Sequence, residues 1–139
     1  MIIIIDSNIF ISALVKEGIT RKLITQSKEW LIIPEYLFHE IRNHEEEIIL
    51  KSGINKREYE LLLRVLLKYI IIVPNEIILS YRKQAMEIVK NIDADDALFI
   101  ATAIAFEDSV IWSNDKKLKN QNRVEVLNTE EIFNLIFNH

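Results

Sequence analysis

Short apolar runs, rich in β-branched residues, recur along the chain with helix-patterned stretches between them. They are Ile2–Ile5, Leu31–Ile33, Ile70–Val73 and Val110–Trp112, with a more polar counterpart at Val124–Leu127. Runs this short cannot make helices of useful length, and their apolar character on successive positions reads as strands buried on both faces. Strands that alternate with helices pair in parallel, because each connection must cross back over the sheet. The pattern predicts one α/β domain over residues 1–139. Its architecture is a three-layer α/β/α sandwich around a central, mainly parallel sheet of four to five strands.

Between the runs, Ser7 is in place to cap a helix carrying Ile9, Phe10, Ala13 and Leu14. Gly18 interrupts the pattern, and Thr20 starts a second helix extending to about Trp30. Pro34 suits the first turn of a third helix that carries Leu37, Ile41 and Ile48 and stops near Gly53. Asn55 opens the leucine-rich helix Lys56–Tyr69, and Pro74 and Asn75 precede a helix with Ile78, Leu79, Ala85, Met86 and Val89 on its apolar stripe. Asp93 or Asp95 opens Ala97–Phe106, apolar nearly all round and therefore a buried core helix. Asn128 or Thr129 caps a terminal helix with Ile132, Phe133, Ile136 and Phe137.

Composition narrows the function classes. The chain has 139 residues, half of them hydrophobic and 27% charged, as globular domains do. Gly and Pro number two each, so the connections are short. With no cysteine, disulfide scaffolds and thiolate metal sites are excluded, and a reducing cytoplasm is the expected location. The opening Met1-Ile2-Ile3-Ile4-Ile5-Asp6 lacks a basic leader and meets an acid too early for a signal peptide. No apolar run reaches the roughly 18 residues of a membrane helix, so no membrane is expected. The net charge of −4 neither supports nor excludes a nucleic-acid partner. Lys16, Arg21, Lys22, Lys28, Lys116, Lys117, Lys119 and Arg123 are the cations available to phosphates.

The acids are distributed in a telling way. Asp6 directly follows the first strand, Asp115 lies one loop beyond Val110–Trp112, and Asp93 and Asp96 lead into the buried helix. Loops that follow parallel strands converge on one edge, where sites are usually built. Carboxylates gathered there repel one another unless a divalent cation neutralises them, and an oxygen-only ligand set suits Mg²⁺ or Mn²⁺ better than zinc. Each acid also has an ordinary structural role. Asp6 is a good helix cap, Asp93 and Asp96 favour a helix N-terminus, and Asp115 suits a turn. Glu40 sits among Glu35, Glu45, Glu46 and Glu47, where solvation alone accounts for a glutamate. His39 and His44 stand at i and i+5, which splays them off the single face a zinc-protease helix requires.

Taken in order, the motifs resemble those of the PIN-domain nucleases over essentially the whole chain. Ile4-Ile5-Asp6-Ser7-Asn8-Ile9-Phe10 is similar to the family's opening strand and first acid. Pro34-Glu35-Tyr36-Leu37-Phe38-His39-Glu40-Ile41 is similar to its second motif and puts Glu40 in the acidic position. Asp96-Ala97-Leu98-Phe99-Ile100-Ala101 resembles the third, with Asp93 matching an extra preceding acid, and Ile111-Trp112-Ser113-Asn114-Asp115 resembles the fourth. The resemblance implies a Mg²⁺- or Mn²⁺-dependent endoribonuclease acting on single-stranded or structured RNA. Its catalytic residues would be Asp6, Glu40, Asp96 and Asp115, its metal ligands Asp6, Asp93, Asp96 and Asp115, and its supporting residues Asn8 and Ser113.

Stand-alone chains of this size also resemble the toxins of VapBC-type toxin–antitoxin pairs. That implies a homodimer held by a small antitoxin protein. The apolar residues of Tyr59–Tyr69, namely Leu61, Leu62, Leu63, Leu66 and Leu67, read either as core or as such an interface. The alternatives are a PIN nuclease of RNA processing and a non-catalytic RNA-binding or scaffold PIN domain. An aspartate phosphohydrolase would need a second Asp two residues after Asp6, where this chain has Asn8. No Gly-rich phosphate loop is present, which argues against a nucleotide cofactor.

Overall fold

Strand β1 (Ile2–Ile5) lies at the centre of a five-stranded sheet of order β3-β2-β1-β4-β5. Its neighbours are β2 (Trp30–Pro34) and β4 (Ser109–Trp112), with β3 (Ile71–Val73) and β5 (Val126–Leu127) at the edges. All four pairings are parallel, in registers such as Ile4 beside Ile32 and Ile5 beside Trp112. The structure, a computed structural model, describes residues 1–89 and 96–138. Asp93 and Asp95 lie outside the described residues.

The central strands follow from their composition. Ile3, Ile4, Ile5, Ile33, Ile111 and Trp112 are wholly inaccessible, so both faces of the sheet are covered. Helices α1 (Ser7–Val15) and α2 (Ile19–Gln26) connect β1 to β2. Helices α3 (Glu35–Asn43), α4 (Glu45–Ser52) and α5 (Lys56–Leu67) connect β2 to β3. The order β3-β2-β1 makes both crossovers progress in the same direction, which places α1 to α5 on one face if both are right-handed. Packing agrees: α1 touches α2, α3, α4 and α5. From β3 the chain reverses direction across the sheet. Helices α6 (Asn75–Leu79), α7 (Arg82–Ile88) and α8 (Ala97–Ala105) pack together, with α8 against β1, β2 and β4. The terminal α9 (Thr129–Phe137) returns to α2.

Several local expectations are corrected. Asp6, not Ser7, caps α1: its Oδ1 accepts from the Ile9 N–H at 2.9 Å. Gly18 occupies the cap of α2 in place of Thr20, and Trp30 belongs to β2. Pro34 is extended and ends β2. The expected third helix is two helices meeting at His44. The stripe of Leu37, Ile41 and Ile48 runs across the break at helical spacing, so periodicity could not show it. Three glutamates in the first turn of α4 favour a new start there. The helix expected after Pro74 likewise divides into α6 and α7, which leaves Leu79 and Met86 exposed. The edge strand shrinks to Val126–Leu127.

The cap expected at Asn55 forms a full capping box, with the Glu58 N–H bonded to Asn55 Oδ1 at 2.8 Å. Asn55→Ala is therefore expected to cost about 1 kcal/mol in chemical denaturation. A loss below a few tenths would mean that α5 is held by packing alone. On α5, Tyr59 and Leu66 are core and Leu62, Leu63 and Leu67 pack partly against it. Leu61, Val65 and Tyr69 are exposed, as are Ile71 and Ile72 of β3. The core reading thus holds for one face of this helix, and the other face leaves apolar residues exposed. No helix among the described residues is long and apolar enough to cross a membrane.

Candidate functional site

The chain leaves β1 towards β2, and later comes back to place β4 on the other flank of β1. The boundary between β1 and β4 is thus the topological switch point, where parallel α/β sheets open a crevice at their C-terminal edge. Asp6 and Ser113 are the residues just past the last paired positions, Ile5 and Trp112. The Asp6 N–H donates to the Trp112 carbonyl at 3.2 Å, which locks the two strand ends together.

Asp6 is buried, with 5% of its surface accessible. Its carboxylate accepts from the Ser113 hydroxyl and from the N–H groups of Ile9 and Asn8 at the start of α1. Those bonds favour the charged form. Burial opposes them and dominates, and the negative charge of Asp115 adds to it, so the Asp6 carboxyl is held above its ordinary range. No lysine or arginine among the described residues offsets this charge.

Ser113 is also buried, and its oxygen accepts from the Asp115 N–H at 3.1 Å. One hydroxyl therefore joins the first acid to the backbone of the last. Asp115 Oδ1 accepts in turn from the Lys117 N–H at 2.9 Å. A cleft of about 580 Å³ opens beside Asp115, walled in part by Ser113, Asn114, Lys116 and Thr129.

Glu40 on α3 reaches this edge through a residue that the motif reading left out. The Ser7 hydroxyl, next to Asp6, donates to Glu40 Oε2 at 3.2 Å. Asn8, expected to support the site with its side chain, is exposed and meets Asp6 through its backbone N–H. Asp96 stands at the N-cap of α8. That helix packs against β4 and is joined to it by a short connection, which turns its N-terminus towards the C-terminal edge of the sheet. Among the described residues, no three Asp, Glu or His side chains are close enough to hold an ion as they stand.

The cations separate by topology. Lys116 and Lys117 adjoin Asp115, whereas Lys119 pairs with Glu131 and the Arg21 side chain donates to the Ala13 carbonyl at 2.9 Å. Helix α1 runs away from the acidic edge, so Lys16 at its end is remote from the site. His39 and His44 are exposed and lie beside Glu35 and Glu47, surface placements as expected.

An all-parallel sheet flanked by helices, with carboxylates at its switch point, defines the class: an α/β domain with an acidic site on the C-terminal edge. A sequence profile of the PIN domain matches residues 4–134, and the chain belongs to the PIN domain family. PIN domains are nucleases, which makes phosphodiester hydrolysis the relevant class of chemistry. The fold is similar to a chain in the crystal structure of VapBC2 from Rickettsia felis bound to a DNA fragment from their promoter. That match has a TM-score of 0.66 and 20% identity over 92% of this chain and 98% of the other. No curated protein matches the chain.

Proposed function

We propose that residues 1–139 act as one domain, a divalent-metal-dependent endoribonuclease cutting single-stranded or structured RNA. The observation that carries this is Asp6: a buried carboxylate at the switch point, repelled by Asp115 and offset by no basic side chain among the described residues. A buried charge without a counter-charge is costly, and a cation from solution is the remedy that the donor chemistry fits. Asp6, Asp96 and Asp115 would hold Mg²⁺ or Mn²⁺, with Glu40 and Asp93 as further acids of the set. When bound, such an ion lowers the pKa of water and neutralises charge developing on the phosphate.

The chain's own residues supply the rest. Ser113 orients Asp6 and the Asp115 backbone, and Ser7 orients Glu40. Water attacks phosphorus in line, the bond to the 3′ oxygen breaks, and that oxygen takes up a proton. The products are a 5′-phosphate and a 3′-hydroxyl. Lys116 and Lys117 flank Asp115 and suit adjacent phosphates of the strand.

A toxin role, with a small antitoxin partner and a homodimer, extends the same reading. It is supported by the exposed apolar residues Leu61, Val65, Tyr69, Ile71 and Ile72 and by the fold likeness to a VapBC2 chain. The test is cleavage of a labelled single-stranded RNA by the pure protein with Mn²⁺, with EDTA, and with Asp96→Asn. Cleavage should require the metal and fall at least about a hundredfold in the folded variant. Equal trace activity in wild type and variant would mark contamination and end the catalytic reading.

A further inference from the structure

Asn128, not Thr129, caps α9: its Oδ1 accepts from the Glu131 N–H at 2.8 Å, and Glu131 returns a bond to the Asn128 N–H at 3.0 Å. The Thr129 hydroxyl is thus not used in capping. It accepts from the indole N–H of fully buried Trp112 at 3.1 Å and donates to Asn114 Oδ1 at 3.2 Å. The Thr129 N–H, one of the helix's amides without an intrahelical acceptor, donates to the same Asn114 oxygen at 2.9 Å. Three bonds therefore tie the first residue of α9 to the two residues that flank Ser113.

We infer that Thr129 is a positioning residue, holding the loop that carries Ser113 and Asp115 in place against Asp6. Trp112 fixes the strand end below the loop, and Asn114 fixes its turn above. Between them, the Ser113 hydroxyl has to meet both the Asp6 carboxylate and the Asp115 N–H. A loop free to shift by an ångström would lose that double contact, and misplacements of this size are costly to catalysis. The catalytic consequence rests on the nuclease reading, whereas the loop restraint does not.

The test compares Thr129→Val, which keeps shape and backbone bond but removes the hydroxyl, with Thr129→Ser, which restores it. Amide exchange by NMR should quicken about tenfold at Asp115 and Lys117 in Thr129→Val, as one hydrogen bond's loss predicts. Exchange at Ile111 and Ser113, held by the Glu125 and Leu127 carbonyls, should not change. In the Mn²⁺ cleavage assay, kcat should fall about tenfold with KM for RNA unchanged. Thr129→Ser should recover to within about threefold of wild type on both readouts. Unchanged exchange at Asp115 and Lys117, a uniform rise along the whole chain, or equal damage from Val and Ser would each overturn the inference. If wild type cleaves no RNA, the nuclease reading falls, and the exchange comparison still decides the role of Thr129.

Discussion

Asp6→Asn should abolish RNA cleavage and, at neutral pH, raise the melting temperature of the metal-free protein. Both effects come from the same burial. The asparagine keeps the shape and the Oδ1 acceptor that caps α1 at the Ile9 N–H, so the helix start survives. What it removes is a charge held in a dry site beside Asp115. The folded-state pKa of Asp6 is raised above the ordinary 3.8 by burial first, against the pull of the Ser113 and Ile9 bonds. A raised acid contributes stability that is present below the unfolded value and is lost as pH rises through the folded one.

Asparagine does not titrate, so its advantage over the wild type should grow across that interval and level off above it. At pH 7 the variant is therefore expected to melt above the wild type, and at pH values below the unfolded one the difference should vanish. Activity should drop at least about a hundredfold. Mn²⁺ should raise the melting temperature of the wild type and leave the variant where it was. Thermal melts at several pH values, with and without Mn²⁺, check all of this. A variant destabilised equally at pH 5 and pH 8, or one that still gains stability from Mn²⁺, would remove Asp6 from the proposed metal site.

Trp112→Ala is expected to have the largest effect on stability, about 3–5 kcal/mol. The indole is wholly buried on β4, and its N–H reaches Thr129 at 3.1 Å. Domains of this kind are stable by about 5–15 kcal/mol in all, so the variant should be partly unfolded at 37 °C. Trp30→Ala is the matched control. Trp30 opens β2 with 64% of its surface accessible, and its removal should change stability by no more than about 0.5 kcal/mol. Urea denaturation of the two variants separates them. Equal losses would contradict the burial difference on which the core assignment stands.

These two tryptophans show where reading residues in order succeeds and where it stops. Trp112 ends an apolar run, and its burial follows from pattern alone. Trp30 looked like the end of a helix because periodicity is a weak guide at element boundaries, and hydrogen bonding to Met1 and pairing with Ile2 decided for a strand. The same limit hid the break at His44, since an apolar stripe on two helices in line has the spacing of one. The placement of Asp6 and Asp115 at the C-terminal edge of the sheet is legible because each follows a strand. Glu40 was not legible from its surroundings, which hold four other glutamates, and only the family resemblance singled it out.

The order of residues alone carries the fold class, the parallel pairing and the edge where the acids gather, because strand-length apolar runs and helix periodicity are local properties. Family membership is legible there too, since four ordered motifs survive where any one would be weak. Pairings between distant positions belong to the tertiary structure. Ser7 meets Glu40 across 33 residues, Ser113 bridges Asp6 and Asp115, and Thr129 braces Asn114 from 15 residues downstream. No local rule specifies such contacts: they exist because β4 is inserted beside β1 and α9 folds back to meet it, bringing polar groups from separate segments to one edge. Burial decides the rest: Asp6 caps α1 and is at the same time a carboxylate that its surroundings leave short of positive charge.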